Sequence, residues 1–336
     1  MWYLNSMLFS SSLALSTIIA VSSYTWMGMW LGLEINLLSF IPLISSVKNT
    51  YTSESALKYF LTQAIASSIL LLSVILLSSN LFILSQSNLP FTIMTISLLL
   101  KMGAAPFHFW FPEVIEGLSW VNVSILLTWQ KIAPMIVLIY TSKITLILII
   151  SVIACMTVSG MMGQNQVSLR KIMAYSSINH IGWMISASLF MKTIWTVYFV
   201  VYVVITLNII AMFKNLSIFT MSQLTLAMNF QPSLKFFFIL NFLSLGGLPP
   251  LLGFLPKWLT VQLMINENLI FLAFLMIVMT LMTLYFYMRV TFSSIILSVN
   301  TSPQIWSSPK NSSLIMIINF ISLASLIFST LVFNHL

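Results

Sequence analysis

The sequence predicts an all-α polytopic membrane protein of about eleven transmembrane helices, arranged as two inverted five-helix repeats with two discontinuous helices. Three observations lead there. Hydrophobic residues fill 60% of the 336 positions and charged residues only 5%, against about 25% charged in a soluble domain. The apolar residues gather into runs of roughly 20, the length a bilayer core requires of a helix. Two of those runs, at 97–112 and 244–258, are interrupted by glycine and proline. Paired interruptions in spans of opposite direction are the sequence sign of an inverted repeat.

The spans run approximately over 3–21, 26–46, 54–79, 90–111, 120–140, 143–163, 171–191, 194–213, 234–262, 269–291 and 314–333. Residues 1–336 read as one transmembrane domain: repeat one about 1–140, repeat two about 143–291, and an added helix about 314–333. Serine is frequent in the first and third spans, which suits close helix contact. The second span carries Glu34, the third Lys58, the fifth Lys131 with Pro134, and the seventh His180. Most connections are short, so neighbouring helices are antiparallel; the longest polar connections are 214–233 and 292–313. Glu113 and Glu116 are expected in a solvated loop after the fourth span.

The fourth span contains SLLLKMGAAPFHFWFP, residues 97–112. A lysine at the centre of a span costs about 2.5–3.5 kcal/mol on insertion scales. Pro106 lacks an N–H and clashes with the carbonyl of Met102, so the helix breaks just after Lys101. Broken backbone survives in a membrane only where protein or a water-filled cavity covers it. The ninth span repeats the pattern in SLGGLPPLLGFLPKW, residues 244–258, ending on Lys257. Five spans separate the two breaks, so they run in opposite directions.

Composition excludes several functions. Mean hydropathy is +1.06. The 13 Lys and Arg give a net charge of +8 but are scattered, so the chain is not a nucleic-acid binder. Cys155, the one cysteine, excludes an internal disulfide framework and a cysteine-ligated cluster. His108 and His180 lack the acidic or thiol companions of a metal site. There is no phosphate-binding or dinucleotide glycine motif and no serine–histidine–acid arrangement. The chain itself is therefore expected to bind no metal and no redox cofactor. No cleavable signal or Arg-rich transit peptide is read before the first span.

Lysine and arginine placement sets orientation. With the N-terminus inside, the inside connections and span ends hold Lys48, Arg170, Lys171, Lys214, Lys235, Arg289 and Lys310, and the outside ones Lys143 and Lys192. Lys58, Lys101, Lys131 and Lys257 fall within spans. Glu34, about nine residues into span two, and Lys101, about twelve into span four, then lie within roughly 5 Å in depth at 1.5 Å per residue, an expected ion pair. Lys131 and His180 are also central, Lys58 lies about a turn inside span three, and Lys257 falls in the outer half.

Lysine suits proton transfer for a physical reason. Its free pKa is about 10.4, and burial lowers it, to about 5–6 in documented cases. A carboxylate about 4 Å away, at an effective dielectric near 20, contributes about 4 kcal/mol in the opposite sense, or roughly three pKa units. Making or breaking one pair thus moves a lysine between holding and releasing a proton, which arginine cannot do. The candidate path is Glu34, Lys58, Lys101, Lys131, His180 and Lys257.

The stretches GLEINLLSFIPL, ALKYFLTQ, LLLKMGAAPFHFW, LTWQKIAP, LRKIMAYSSINHIGWM and NFLSLGGLPPLLGFLPKW resemble the proton-channel subunits shared by respiratory complex I and the multisubunit sodium/proton antiporters. The resemblance covers nearly the whole chain. It implies a fold of two inverted five-helix bundles and a family ion pair at Glu34 and Lys101. It further implies proton translocation in the membrane arm of complex I. The partners would be other membrane-arm subunits, including neighbouring antiporter-like ones, and membrane lipids. FMN, iron–sulfur clusters and ubiquinone would be used elsewhere in the whole complex. The implied location is the mitochondrial inner membrane, with the N-terminus on the matrix side and the C-terminus on the intermembrane-space side. The family's full form has fourteen helices; this sequence lacks counterparts of the first three, as bilaterian animal versions do. A cation/proton antiporter subunit and a structural spacer without its own channel are the alternative readings.

Overall fold

The computed structural model describes residues 2–45, 49–78, 88–141, 145–229, 232–249 and 251–296. The expected eleventh span and Lys48, Lys143 and Lys310 lie outside the described residues. Among the described residues there are fourteen helices and no strand: α1 Trp2–Ser22, α2 Trp26–Ile44, α3 Thr50–Ser78, α4 Leu89–Met102, α5 Trp110–Gly117, α6 Trp120–Leu127, α7 Trp129–Thr141, α8 Thr145–Gly163, α9 Leu169–Phe190, α10 Lys192–Leu216, α11 Met221–Asn229, α12 Pro232–Gly246, α13 Phe254–Asn266 and α14 Ile270–Ile296. Among the described residues, six helical segments are long and apolar enough to cross a membrane, and three shorter apolar ones join them. The chain divides into two compact units, Met1–Cys155 and Met156–Leu336, and the division falls inside α8.

The helices are apolar outside and more polar inside. On α3, Leu57, Leu61, Ile65, Leu72 and Ile75 are exposed, spaced as one helical face for lipid. The opposite face buries Ser55, Tyr59, Gln63, Ser67 and Ser73. In α9 nearly every side chain from Leu169 to Ser188 is buried, including Ser176, Ser177, Asn179 and His180. A helix shielded from lipid on all sides can carry those polar groups, because protein rather than hydrocarbon surrounds them.

In the first unit α4 stops at Met102. Gly103 takes a left-handed φ of 71°, a conformation that costs a side chain with a Cβ. Of the last carbonyls, which no helical N–H reaches, those of Leu99, Leu100 and Lys101 find donors. Gly103 N–H serves Leu100 and Ala104 N–H serves Leu99, Trp110 Nε1 also donates to Leu100, and Gln63 Nε2 donates to Lys101. The Ala105–Pro106 bond is cis. In the second unit α12 stops at Gly246, with Gly247 at φ 81°, and α13 begins at Phe254. Both expected interruptions are present.

A third was not expected. The fifth span divides at Thr128 into α6 and α7. Thr128 Oγ1 donates to the Ser124 carbonyl at 2.6 Å, a back-bond that Thr62 and Thr206 also make inside unbroken α3 and α10, so it does not break the helix by itself. Pro134 withdraws a further helical hydrogen bond one turn beyond Gln130. Two loop assignments are corrected as well. Residues 214–233 contain a helix, α11, whose first turn is capped by Gln223 Oε1 accepting the Phe219 N–H at 2.8 Å. The loop before α11 pairs with the one before α9 through an isolated antiparallel bridge between Ser168 and Thr220. Glu113 and Glu116 sit on α5, not in a loop.

Close backbone approach at the second break gives a stability prediction. A Cβ on Gly253 would collide with the Ser244 carbonyl, whereas one on Gly246 would meet nothing nearer than 3.7 Å. Gly253→Ala is expected to destabilise the fold by about 1–3 kcal/mol through overpacking, and Gly246→Ala far less. Melting temperature and native-gel yield of the two variants check this.

Candidate functional site

In the first unit, α3, α4 and α7 bring Lys101 and Lys131 to one cavity of about 20 Å³. Asn36, Tyr59, Gln63 and Gln130 share its lining with apolar neighbours. A cavity needs about 10–15 Å³ and two to four polar partners to hold a water, and this one has both. Lys101 is only 7% exposed, and its Nζ has no hydrogen-bond partner among the described residues. A buried ammonium is costly without such a partner, and the cavity has the room and the polar lining for a water to supply one. Lys131 is 2% exposed, with its Nζ 5.6 Å from the centre of the Phe111 ring.

A chain of neutral hydrogen bonds frames the cavity. Gln130 Nε2 donates to Asn36 Oδ1 at 2.9 Å, and Tyr59 O–H donates to Gln130 Oε1 at 3.4 Å. Behind it, the Ala105 N–H donates to Cys155 Sγ at 3.2 Å, tying the broken segment to α8. His108 is buried, its Nδ1 3.2 Å from the Pro106 carbonyl.

The structure does not close the expected direct ion pair between Glu34 and Lys101. Among the described residues Lys101 makes no salt bridge, and Glu34 Oε2 is buried without a hydrogen-bond partner. The register of α2 is the reason. Leu33, Asn36 and Leu37 point to the cavity, and Glu34 lies one position off that stripe, between buried Leu33 and exposed Ile35. Lys58 stands elsewhere. It is 41% exposed and shared between Glu54 and Glu113, each at 2.9 Å. Lys58 and Glu113 both belong to the end that the lysine and arginine count assigns to the inside.

In the second unit, α9 places His180 with its Nδ1 2.9 Å from the Tyr198 hydroxyl and its ring 5.1 Å from that of Tyr202. Lys257 on α13 reaches back across the break. Its Nζ donates to the carbonyls of Leu245 at 3.0 Å and Gly246 at 2.8 Å, so it caps the end of α12. Gly247 lies beneath, where an added Cβ would sit 2.8 Å from Lys257 Cδ.

Sequence reasoning missed Asn36, Tyr59, Gln63, Gln130 and Tyr198. A neutral polar residue in an apolar span must find a protein partner, and Tyr59 and Gln63 are spaced i,i+4 on one face. That much was readable; their partners were not. Among the described residues, no three His, Cys, Asp or Glu side chains gather as metal ligands.

A family model described as NADH:quinone oxidoreductase/Mrp antiporter, transmembrane, matches residues 23–283. NADH-ubiquinone oxidoreductase chain 2 of Anopheles gambiae is 46% identical, over 97% of this chain and 97% of that protein. Its counterpart from Locusta migratoria is 45% identical, over 92% and 91%, and that of Dasypus novemcinctus 42%, over 84% and 83%. A chain of respiratory complex I from Thermus thermophilus aligns with a TM-score of 0.85 at 24% identity, covering 96% of this chain and 77% of that one. A chain of the Mrp complex from Dietzia aligns at 0.78 and 13% identity, covering 96% and 74%. These two structural likenesses carry the fold alone.

Proposed function

The chain belongs to the NADH:quinone oxidoreductase/Mrp antiporter transmembrane family, and from that premise we propose that it is an antiporter-like, proton-translocating subunit of the membrane arm of respiratory complex I. It is a multi-pass membrane protein. Its place is the mitochondrial inner membrane, N-terminus to the matrix and C-terminus to the intermembrane space, beside other antiporter-like subunits and lipid. NADH oxidation and ubiquinone reduction take place in other subunits, with FMN and iron–sulfur clusters; this chain holds none of those groups.

The observation that carries the reading is the pair of buried lysines, Lys101 and Lys131, facing one water-sized cavity. Two buried ammonium groups cannot both stay charged there at low cost, because neither is well hydrated. A charge change in a neighbouring subunit, relayed through Glu34, tips which of the two holds the proton. Lys58, with Glu54 and Glu113, forms the matrix-side uptake end. In the second unit His180 and Lys257 carry the outward leg. Sodium exchange is the weaker reading, since hard cations take oxygen ligands and this cavity presents two ammonium groups.

Lys131→Met tests it. The assembled complex, in sealed vesicles, is expected to translocate fewer protons per NADH oxidised, with the rate independent of sodium. An unchanged ratio would make the chain a spacer; sodium dependence would make it an antiporter.

A further inference from the structure

We infer that Gln130 is a positioning residue that sets the proton gap between Lys101 and Lys131, an inference that rests on the function proposed above. Gln130 and Lys131 are consecutive on α7, yet both line the cavity. The Gln130 amide is held at both ends, its Nε2 donating to Asn36 Oδ1 at 2.9 Å and its Oε1 accepting from Tyr59 at 3.4 Å. An amide carries two donor hydrogens and two acceptor lone pairs. One of each is committed, and the second donor and second lone pair remain for a water in the cavity. Tyr59 is buried, and its hydroxyl donates to the oxygen end of the amide while Asn36 accepts from the nitrogen end. A water in the cavity is therefore oriented by Gln130 beside the two lysines that line it.

An amide is suited to this task because it is neutral whichever lysine holds the proton. It orients a water without trapping charge. A carboxylate of the same shape would orient the water equally well, but it would bind the ammonium beside it and hold the proton in place. The Asn36 bond adds a link. Asn36 stands two residues from Glu34 on α2, so a shift of that helix moves the Gln130 amide and the water it holds. Gln130 thus connects the helix that carries the charge signal to the gap that the proton crosses.

The test compares Gln130→Glu, Gln130→Leu and Lys131→Met in the assembled complex, in sealed vesicles. Proton translocation per NADH is read against the wild type at each pH. Gln130→Glu keeps the shape, and Asn36 can turn its amide to donate to the new carboxylate. Its ratio is expected to fall at neutral pH and to recover on acidification, when the carboxyl is protonated and neutral like the amide. A ratio equal to the wild type at every pH, or a loss with no pH dependence, overturns the inference, since shape alone would then be what matters. If the glutamate variant does not assemble, Gln130→Leu decides: a lowered ratio is expected at every pH, and a normal one overturns the inference. Lys131→Met separates the two levels. If it pumps normally the proposed function itself fails; if it stops pumping while both Gln130 variants pump normally, only the role of Gln130 fails.

Discussion

Lys101→Arg is expected to give an assembled complex whose proton-to-NADH ratio falls by the share this subunit moves. The charge is conserved, so a lysine serving only as a fixed positive charge would be replaced without loss. Arginine keeps its proton above pH 12, so it can hold a charge but not pass one on. The structure makes this substitution a clean probe. The carbonyls at the end of α4 are served by Gly103, Ala104, Trp110 and Gln63, and Lys101 Nζ takes part in none of these bonds. Changing the lysine therefore leaves the break intact. The larger guanidinium enters a small cavity, and overpacking costs about 1–3 kcal/mol, which Lys101→Met controls for by removing the charge without adding bulk. Proton uptake per NADH in vesicles, with a native gel for assembly, is the measurement. Normal pumping in the arginine variant would leave Lys101 as architecture.

Local chemistry makes much of this site legible in the sequence alone. Lys101, Gly103 and Pro106 lie within six positions, and the cost of a charge, a left-handed turn and a missing N–H is set by those residues alone. The two interruptions were read for that reason. Thr128 is not legible that way, because threonines with the same back-bond, Thr62 and Thr206, sit in unbroken helices, so residue type alone does not mark the break. The ion pair at Glu34 failed for a different cause. Depth along two helices can be counted from sequence, but the angle of each about its own axis cannot, and α2 turns Asn36 rather than Glu34 to the cavity. Glu113 was lost to the loop because α5 is only eight residues long, too short for periodicity to register. The cavity itself belongs to no segment. It exists where α2, α3, α4 and α7 fail to fill the space between two lysines, and no single stretch of sequence encodes that.

Lys257 shows the same division and gives the second large expected effect. The sequence places it after a break; the structure shows that it closes the break. An ammonium has three N–H donors. Two of them reach Leu245 and Gly246 at 3.0 and 2.8 Å. The third is the one that can leave, since a neutral amine keeps two hydrogens and both carbonyl bonds can persist, though without charge assistance. Capping and proton release are then compatible in lysine and in no other side chain. Lys257→Arg is expected to keep the cap, assemble, and lose the outward proton, because the guanidinium donates well but does not deprotonate. Lys257→Met is expected to lose more. It removes both donors and leaves two buried carbonyls at about 1–3 kcal/mol each, so both the yield of assembled complex and its pumping fall. Native-gel yield and proton-to-NADH ratio, read together for the two variants, separate the roles. An arginine variant that pumps normally would leave Lys257 as a helix cap alone, and a methionine variant that assembles at the wild-type level would show that the two carbonyls find other donors.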